Sequence, residues 1–170
     1  KNFSFYVCLR WEGIQTKSDT PGLDVRNRSS VVTPLGHMVW KLPNTPRDQV
    51  RMSLTRSYRS PSLGALIARP AINPRYSTDV SNTPTTADRA GNPDLKPELA
   101  TGIDVAFERY LSGGGLLSAN VFHRRISNLM RSVTAPETVS WSPAVRYVAR
   151  QQNIGGATTE GVELEAKFGL

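Results

Sequence analysis

The sequence predicts an all-β fold of antiparallel, up-and-down strands. Three observations support this prediction: apolar residues recur at every second position in several segments, 13 glycines and 12 prolines interrupt the chain, and no amphipathic helix fits between them. The 170 residues also contain no run of about 18 apolar residues, which a membrane-spanning helix would need. A helical membrane protein is therefore excluded, whereas a transmembrane β-barrel is not, since its strands only need to alternate.

Four segments alternate clearly enough to predict strands with one apolar face, because successive side chains of a strand point to opposite sides. The first covers the opening dozen residues, in which Phe3, Phe5, Val7, Leu9 and Trp11 share a face. The other three are segments 49–59, 98–108 and 161–168, whose apolar faces include Met52, Val105 and Leu164.

Two further strands are predicted at 31–42 and 116–130, with less distinct faces. The segment Val145 to Gln151 alternates as well and changes phase near Gly155 and Gly156, where a β-bulge would explain the change.

The connections between these strands are predicted to alternate in length, at about 18, 5, 38, 4 and 14 residues. The short ones are Pro43 to Arg47 and Ser112 to Gly115, and the second is a triple-glycine hairpin turn. In an up-and-down sheet alternate connections lie at the same end, so the long loops would all meet at one end. This arrangement is typical of transmembrane barrels.

Charge and cysteine content limit the partners and the kinds of site. The chain carries 21 basic and 14 acidic residues, a net charge of +7, which fits nucleic acid, anionic lipid or an acidic ligand and selects none of them. Cys8 is the single cysteine, which excludes an internal disulfide framework and a cysteine-based zinc site.

Four segments resemble the C-terminal half of TonB-dependent outer-membrane receptors, in the order that this family uses. The sequence at 92–98 resembles its NPxLKPE motif, and Ala119 to Met130 resembles its aliphatic-Phe-x-x-x-Ile-x-Asn strand. Arg51 to Leu66 resembles its aromatic-Arg-x-Pro-Ser-Leu loop entry, and Asn153 to Glu165 its Asn-x-Gly-x-Ala-x-x-x-Gly-Val-Glu strand. The matching residues singled out as structural motif positions are Asn92, Pro93, Leu95, Lys96, Pro97, Glu98, Arg59, Pro61, Asn153, Gly161 and Glu163.

The resemblance implies a 22-stranded transmembrane β-barrel that is plugged by an N-terminal domain. Such a receptor imports a scarce nutrient (a siderophore, haem, cobalamin or a glycan) across the outer membrane of a Gram-negative bacterium, driven by the TonB complex through the plug. Residues 1–170 are then expected to be a partial barrel domain of about six strands, with the plug absent. Its expected partners are outer-membrane lipid and lipopolysaccharide, the TonB complex and the nutrient, and not nucleic acid.

No catalytic, cofactor or metal site is expected. His37 and His123 belong to no HExxH-like pattern and are interpreted as sheet residues, with a haem ligand at His123 as the alternative. Cys8 has no neighbouring base and is expected to face the lumen. The carboxylates at 104, 108, 163 and 165 alternate with apolar residues, which suits a polar lumen better than the paired acids of a glycosidase.

The arginines have two interpretations. They could line the lumen and the outer rim, where they would meet lipopolysaccharide phosphates, or they could bind nucleic acid together with Tyr58 and Phe122. The arginines concerned are Arg51, Arg56, Arg59, Arg124, Arg125 and Arg131.

The motif at 92–98 is predicted to be structural, because two prolines fix an extended entry into the next strand. The resemblance implies nutrient contact in the loops at 13–30, 60–92 and 131–144. Two other interpretations remain at this point: a soluble β-sandwich that binds sugar, and a basic nucleic-acid-binding module. A sandwich would cover its apolar face with a second sheet and stay soluble, whereas a piece of barrel would need lipid or detergent.

Overall fold

A computed structural model describes residues 2–19, 25–45, 47–67 and 69–168 of the chain. Strands dominate it, as the alternation predicts. In chain order the elements are β1 (Phe3–Ser18), β2 (Val25–Lys41), β3 (Gln49–Arg59), α1 (Leu63–Leu66), a 3-10 turn (Pro84–Thr86), β4 (Asp88–Arg89), β5 (Glu98–Tyr110), β6 (Leu116–Ser127), β7 (Met130–Glu137), β8 (Arg146–Asn153) and β9 (Gly156–Lys167).

Six of the strands form one large sheet in the order β1-β2-β3-β5-β6-β9, and every pairing in it is antiparallel. Since strands that are neighbours in this sheet follow one another along the chain, the up-and-down arrangement is confirmed. The connections at 42–48 and 111–115 lie at one end of the sheet, which we call the turn end. The longer connections at 60–97 and 128–155 lie at the other, the loop end.

The first hairpin is longer than the sequence predicts. Residues 13–18 and 25–30 are strand, not loop, because β1 continues to Ser18 and β2 begins at Val25, with Lys17 paired to Arg26. Beyond Trp11 the hairpin is mostly polar, and its few apolar residues (Ile14, Val25 and Val31) are too widely spaced to give an alternation that marks the strands. Within the predicted connection, residues 20–24 lie outside the part of the chain that the structure describes.

The predicted loops at 60–92 and 131–144 also contain regular structure. Strands β4, β8 and β7 form a second sheet in that order, with β4 parallel to β8 and β7 antiparallel to it. We call these three strands, together with segment 69–97 and the β7–β8 connection, the loop unit. The predicted strand at 116–130 ends earlier, at Ser127, because Asn128 has a φ of 55° and turns the chain into β7.

The helical content is confined to short turns. Helix α1 has 4 residues and starts at Ser62, whose hydroxyl accepts a hydrogen bond from the Ala65 amide. In the described part of the chain, no helix is long and apolar enough to cross a membrane.

Candidate functional site

One side of the large sheet is a continuous apolar surface. The alternating residues of all six strands come into register, so that apolar side chains stand opposite one another from edge to edge. We call this side the apolar face. Its central row consists of Phe5, Met38, Met52, Val105, Val121 and Val162, and the row on its turn-end side of Phe3, Trp40, Val50, Phe107, Ala119 and Leu164.

Within the described residues, much of the apolar face is uncovered. Phe5 is 75% exposed and Leu164 is 80% exposed. A soluble sandwich would bury such a face against a second sheet, and the three-stranded sheet here does not do so. An exposed apolar surface that stays in register over six strands indicates that this side of the sheet faces an apolar environment.

The apolar face is a band that runs at an angle to the strands. On β1 it is centred on Val7, whose row leads across the sheet to Glu160 on β9. The apolar residues of β9 are centred instead on Leu164, four residues nearer the turn end. A shift of about 13 Å over five strand spacings of about 4.8 Å corresponds to a strand tilt of about 30°. This is close to the 35–45° of transmembrane barrels.

The opposite side of the sheet, which we call the polar face, carries paired charges. Glu108 accepts hydrogen bonds from Gln49 Nε2 (2.6 Å), Arg51 Nη1 (3.0 Å) and the Tyr110 hydroxyl (3.2 Å). Arg124 Nη2 lies 3.5 Å from Asp104 Oδ1 on the neighbouring strand. These charged and polar groups pair with one another across the strands, as expected for a polar surface in contact with water.

The residues considered for chemistry lie apart from one another. Cys8 and His37 lie on the polar face, whereas His123 lies on the same side as the apolar face, with its Nδ1 3.2 Å from Glu160 Oε2. Among the described residues, no group of three or more His, Cys, Asp or Glu side chains could hold a metal ion.

Gly161 and Phe122 form a close pair on the polar face. They are cross-strand partners, and a Cβ atom at position 161 would lie 2.8 Å from Phe122 Cζ. The ring therefore covers the glycine, and Arg124 lies over the ring at 5.3 Å. Glu163, two residues on, accepts a hydrogen bond of 3.3 Å from Asn120 Nδ2.

We expect Gly161→Val to destabilise the folded protein by about 1–3 kcal/mol, because the new side chain overpacks against the ring. Most of this cost should disappear when Phe122 is replaced by Ala. The measurement is the guanidinium unfolding midpoint of the complete protein in detergent for the two single variants and the double variant. Additive effects in the double variant would show that the ring is not what excludes a side chain at 161.

The predicted motif at 92–98 lies at the loop end of the large sheet, where asparagines from other strands hold its backbone. Asn27 of β2 donates from Nδ2 to the Pro93 carbonyl (2.7 Å) and the Leu95 carbonyl (3.1 Å). Leu95 is only 1% exposed and packs with Val25, Leu66 and Met130. The motif therefore joins the start of β2 to the start of β5.

Two further asparagines, Asn128 and Asn153, hold the other end of the motif. Asn153 accepts a hydrogen bond from the Lys96 amide (2.9 Å) and donates to the Lys96 carbonyl (2.9 Å) and the Asn128 carbonyl (2.7 Å). Asn128 in turn donates to the Pro97 carbonyl (3.3 Å). Since the two prolines lack backbone donors, these bonds use the groups that remain available.

Glu98 and Asn92 link the motif to further elements. Glu98 Oε1 accepts from the Met130 amide (2.6 Å), and its Oε2 lies 2.7 Å from Arg59 Nε. Asn92 donates to the Gln151 carbonyl (3.1 Å) and caps the Asp94 amide (3.0 Å). We call Asn27, Asn92, Asn128, Asn153 and Glu98, with backbone 93–97, the motif junction. Pro61 is half-buried near this end of β3.

The loop unit is organised around a buried ion pair. Asp88 and Arg146 are both fully buried, and Asp88 accepts from Arg146 Nε (2.9 Å) and Nη2 (2.9 Å). Trp141 Nε1 (3.2 Å) and the Asn73 amide (2.9 Å) complete the shell of the carboxylate. Arg146 Nη1 donates to the carbonyls at 77 and 80, so the pair joins segment 69–97 to β8.

The hydrogen bonds from Arg146 outweigh the effect of burial and lower the pKa of Asp88 from 3.8 to about 2. A carboxyl whose pKa is depressed on folding stabilises the loop unit above about pH 4, and this contribution is lost as the pH falls toward 2. We expect hydrogen exchange in 69–97 and 138–153, corrected for its intrinsic pH dependence, to accelerate over that window. An Asp88→Asn variant should lack the transition, and a transition that survives this replacement would exclude Asp88 as its origin.

A cavity of about 500 Å³ borders the loop unit and the motif junction. Arg69 and Arg89 supply charge, Ser132 and Gln151 supply hydrogen-bonding groups, and small residues form the rest of the lining. Most of the lining comes from two of the loops in which the sequence predicts nutrient contact, 60–92 and 131–144, although the sequence did not single out any of these residues.

Comparisons with known proteins agree with this geometry. The family model described as TonB dependent receptor-like, beta-barrel, matches residues 1–170. The search of curated proteins found no match. Among solved structures, the FrpB iron transporter from Neisseria meningitidis superposes with a TM-score of 0.62 at 18% identity, covering 100% of this chain and 22% of the transporter.

Two further solved structures show the same fold. The siderophore receptor PirA from Acinetobacter baumannii has a TM-score of 0.60 at 16% identity, covering 98% of this chain and 26% of PirA. The Serratia marcescens hemophore receptor HasR, solved with its hemophore and heme, has a TM-score of 0.59 at 14% identity, covering 99% of this chain and 28% of HasR. The chain thus spans about a quarter of the length of these proteins.

Proposed function

The chain belongs to the TonB-dependent receptor β-barrel family, and from this premise we propose that it forms part of the wall of an outer-membrane receptor for energy-coupled nutrient uptake. The observation that carries the proposal is the apolar face, which stays in register across six strands and shifts along them as a tilted barrel wall requires. The apolar face would contact lipid, and the polar face would line the lumen.

The lengths of the connections at the two strand ends support an orientation in the membrane. Bacterial outer-membrane barrels have short turns on the periplasmic side and long loops outside the cell. By this rule the loop end, with the loop unit and the motif junction, would be extracellular. The plug and the remaining strands would be supplied by further parts of the same protein, and the TonB complex would supply the energy through the plug.

For the nutrient, we propose an iron-bearing ligand such as a siderophore or haem. The superposed structures include an iron transporter, siderophore receptors and a receptor solved with heme, which supports this class over cobalamin or a glycan. The cavity beside Arg69 and Arg89 is the proposed place of first contact, since two guanidinium groups would attract an anionic ligand. The role is binding and transport, not catalysis.

Cysteine labelling of the complete protein in isolated outer membranes tests the position of the wall. In a Cys8→Ser background, Val121→Cys should resist a membrane-impermeant maleimide, because its side chain faces lipid. Asn120→Cys, on the opposite face of the same strand, should react. Equal labelling of both positions would contradict the proposed barrel wall.

Uptake is tested with cells that lack the gene. Under iron limitation, they should fail to accumulate one radiolabelled iron source from a panel of siderophores and haem, and the complete gene should restore it. Normal uptake of every compound in the panel would contradict the proposed nutrient class, while the labelling result would still decide whether the chain is barrel wall.

A further inference from the structure

A groove of about 360 Å³ lies on the apolar face near its turn end, where strands β5, β6 and β9 meet. Its side chains on this face belong to two cross-strand rows. One row is Phe107, Ala119 and Leu164, and the next row toward the turn end is Arg109, Leu117 and Ala166. In each row a small alanine stands beside a larger apolar side chain and leaves a depression. The groove therefore has room for a flexible apolar chain.

Arg109 is the cationic group of this groove. It is exposed, and no carboxylate of the described residues forms an ion pair with its guanidinium group. Two acidic residues at this end of the sheet have other partners. Asp48 is buried and accepts a hydrogen bond from the Tyr110 amide (3.0 Å), and Glu165 pairs with Lys167 (2.8 Å). The guanidinium group of Arg109 can therefore bind an anion from outside the sheet.

The depth of Arg109 fits the boundary between hydrocarbon and headgroups. Arg109 is four residues from Val105 of the central row. At a tilt of about 30°, its backbone lies about 11 Å from the middle of a band whose half-height is about 12 Å. Aromatic residues mark the interfaces of transmembrane barrels, and here Phe3, Trp40 and Phe107 mark the turn-end edge. The arginine can thus extend to the headgroups while the groove stays at the depth of acyl chains.

The turn end of the sheet selects the leaflet. Because the short turns of outer-membrane barrels lie on the periplasmic side, the groove would open to the periplasmic leaflet, which consists of glycerophospholipids. These lipids carry a phosphate for the guanidinium group and acyl chains for the groove. An anionic headgroup fits better than a zwitterionic one, since the latter brings an ammonium group beside Arg109, and both Asp48 and Glu165 already have partners.

We propose that the groove binds an anionic glycerophospholipid of the periplasmic leaflet, with its phosphate on the Arg109 guanidinium group and one acyl chain along Ala166 and Ala119. The site rests on the proposed function, because only a barrel wall in the outer membrane exposes this face to that leaflet. The acyl chain would fill the depression between Phe107 and Leu164. The phosphate would neutralise the arginine at the edge of the hydrocarbon.

Photolabelling of the complete receptor in phosphatidylethanolamine vesicles tests the site. The probes are phosphatidylglycerol and phosphatidylethanolamine, each with the same diazirine in one acyl chain, and the measured quantity is the ratio of labelling by the two. At 107–119 and 164–166 this ratio should be about fivefold, the effect of one ammonium beside a guanidinium group at the surface. Arg109→Gln should bring the ratio close to one. Arg56→Gln, an exposed arginine on the same side at the loop end, is the matched control and should leave the ratio unchanged.

Filling the groove tests the acyl-chain part of the site separately from the charge. Ala119→Phe places a ring in the depression, so labelling of 164–166 by the phosphatidylglycerol probe should fall although Arg109 is intact. Val121→Phe adds the same ring at the next position of β6 on this face, outside the groove, and should leave that labelling unchanged.

Three outcomes would overturn the site: equal labelling by the two probes, a ratio that survives Arg109→Gln, or equal losses in Ala119→Phe and Val121→Phe. The first would show that phospholipids cover the groove without regard to their headgroups. Heat-modifiable mobility and the maleimide test at 120 and 121 are carried out on the same receptor. If both are as expected while the ratio is one, only the phospholipid site fails. If both cysteines react equally, the proposed barrel wall fails and the site fails with it.

Discussion

Val121→Arg is expected to lower the free energy of unfolding of the complete receptor by about 2–4 kcal/mol, the cost of an arginine facing lipid near the middle of a transmembrane barrel. Val121 is suited to this test because it lies in the central row of the apolar face, between Val105 and Val162. From that depth an arginine cannot easily extend its guanidinium group to the headgroups. The measurement is guanidinium unfolding of the receptor in phospholipid bilayers.

Asn120→Arg is the matched control for this substitution. It places the same side chain one residue away on the polar face, where Asn120 donates to Glu163 and an arginine could pair with the same carboxylate. We expect a change of less than about 1 kcal/mol there, as for an exposed ion pair. A similar loss at both positions would mean that the two faces do not differ in environment, and the assignment of the apolar face to lipid would fail.

Alternation predicts the parts of the fold in which the two faces of a strand differ. Phe3 to Trp11 and segment 161–168 show this contrast and are strands in the structure, except that β9 ends at Lys167. The same hairpin continues beyond Trp11, where β1 and β2 hydrogen-bond to each other with polar residues such as Lys17 and Arg26 on both strands. When neither face of a strand is consistently apolar, its sequence does not alternate, and the strand cannot be predicted from the sequence.

The motif junction, too, could be predicted only in part from the sequence. The residues at 92–98 could be identified because they resemble a family motif, but Asn27, which holds that backbone, was missed. Asn128 was matched only as the last position of the aliphatic-Phe-x-x-x-Ile-x-Asn segment, without its contact to the motif. A single asparagine near the end of a strand has no periodic signature, and its contacts come from segments up to 68 residues away. The positive φ of Asn128 is a weak local signal, since asparagine adopts it more readily than most residues.

The alternation at 145–151 indicated β8, but the rest of the loop unit was missed for an energetic reason. Its sequence is rich in proline, serine, threonine and asparagine, which predicts an irregular loop. Its stability depends instead on a small apolar cluster of Ala90, Val139 and Val148 and on the pair Asp88–Arg146, whose members are 58 residues apart. Because neither residue has a distinctive neighbourhood in the sequence, only the folded chain shows that both are buried.

Arg146→Met is expected to destabilise the loop unit by about 3–5 kcal/mol, because removing one member of a buried ion pair leaves the other charge without compensation. The loss should be local, since none of the hydrogen bonds of Arg146 reaches the large sheet. Limited proteolysis of the complete receptor should therefore reveal new cleavage within 69–97 and 138–145, while heat-modifiable mobility of the barrel stays unchanged.

Two comparisons separate the ion pair from a general effect of losing an arginine. Arg131→Met makes the same substitution at an exposed position of β7 and should leave the cleavage pattern intact. The double variant Asp88→Asn/Arg146→Met should recover part of the protection, because it removes the second buried charge while keeping a polar partner for Trp141. If the double variant is no more protected than Arg146→Met, the loss comes from the missing contacts to the carbonyls at 77 and 80 and not from the unpaired carboxylate. The hydrogen bonds from the Arg146 guanidinium to segment 69–97 would then stabilise the loop unit, and the charge of Asp88 would contribute little.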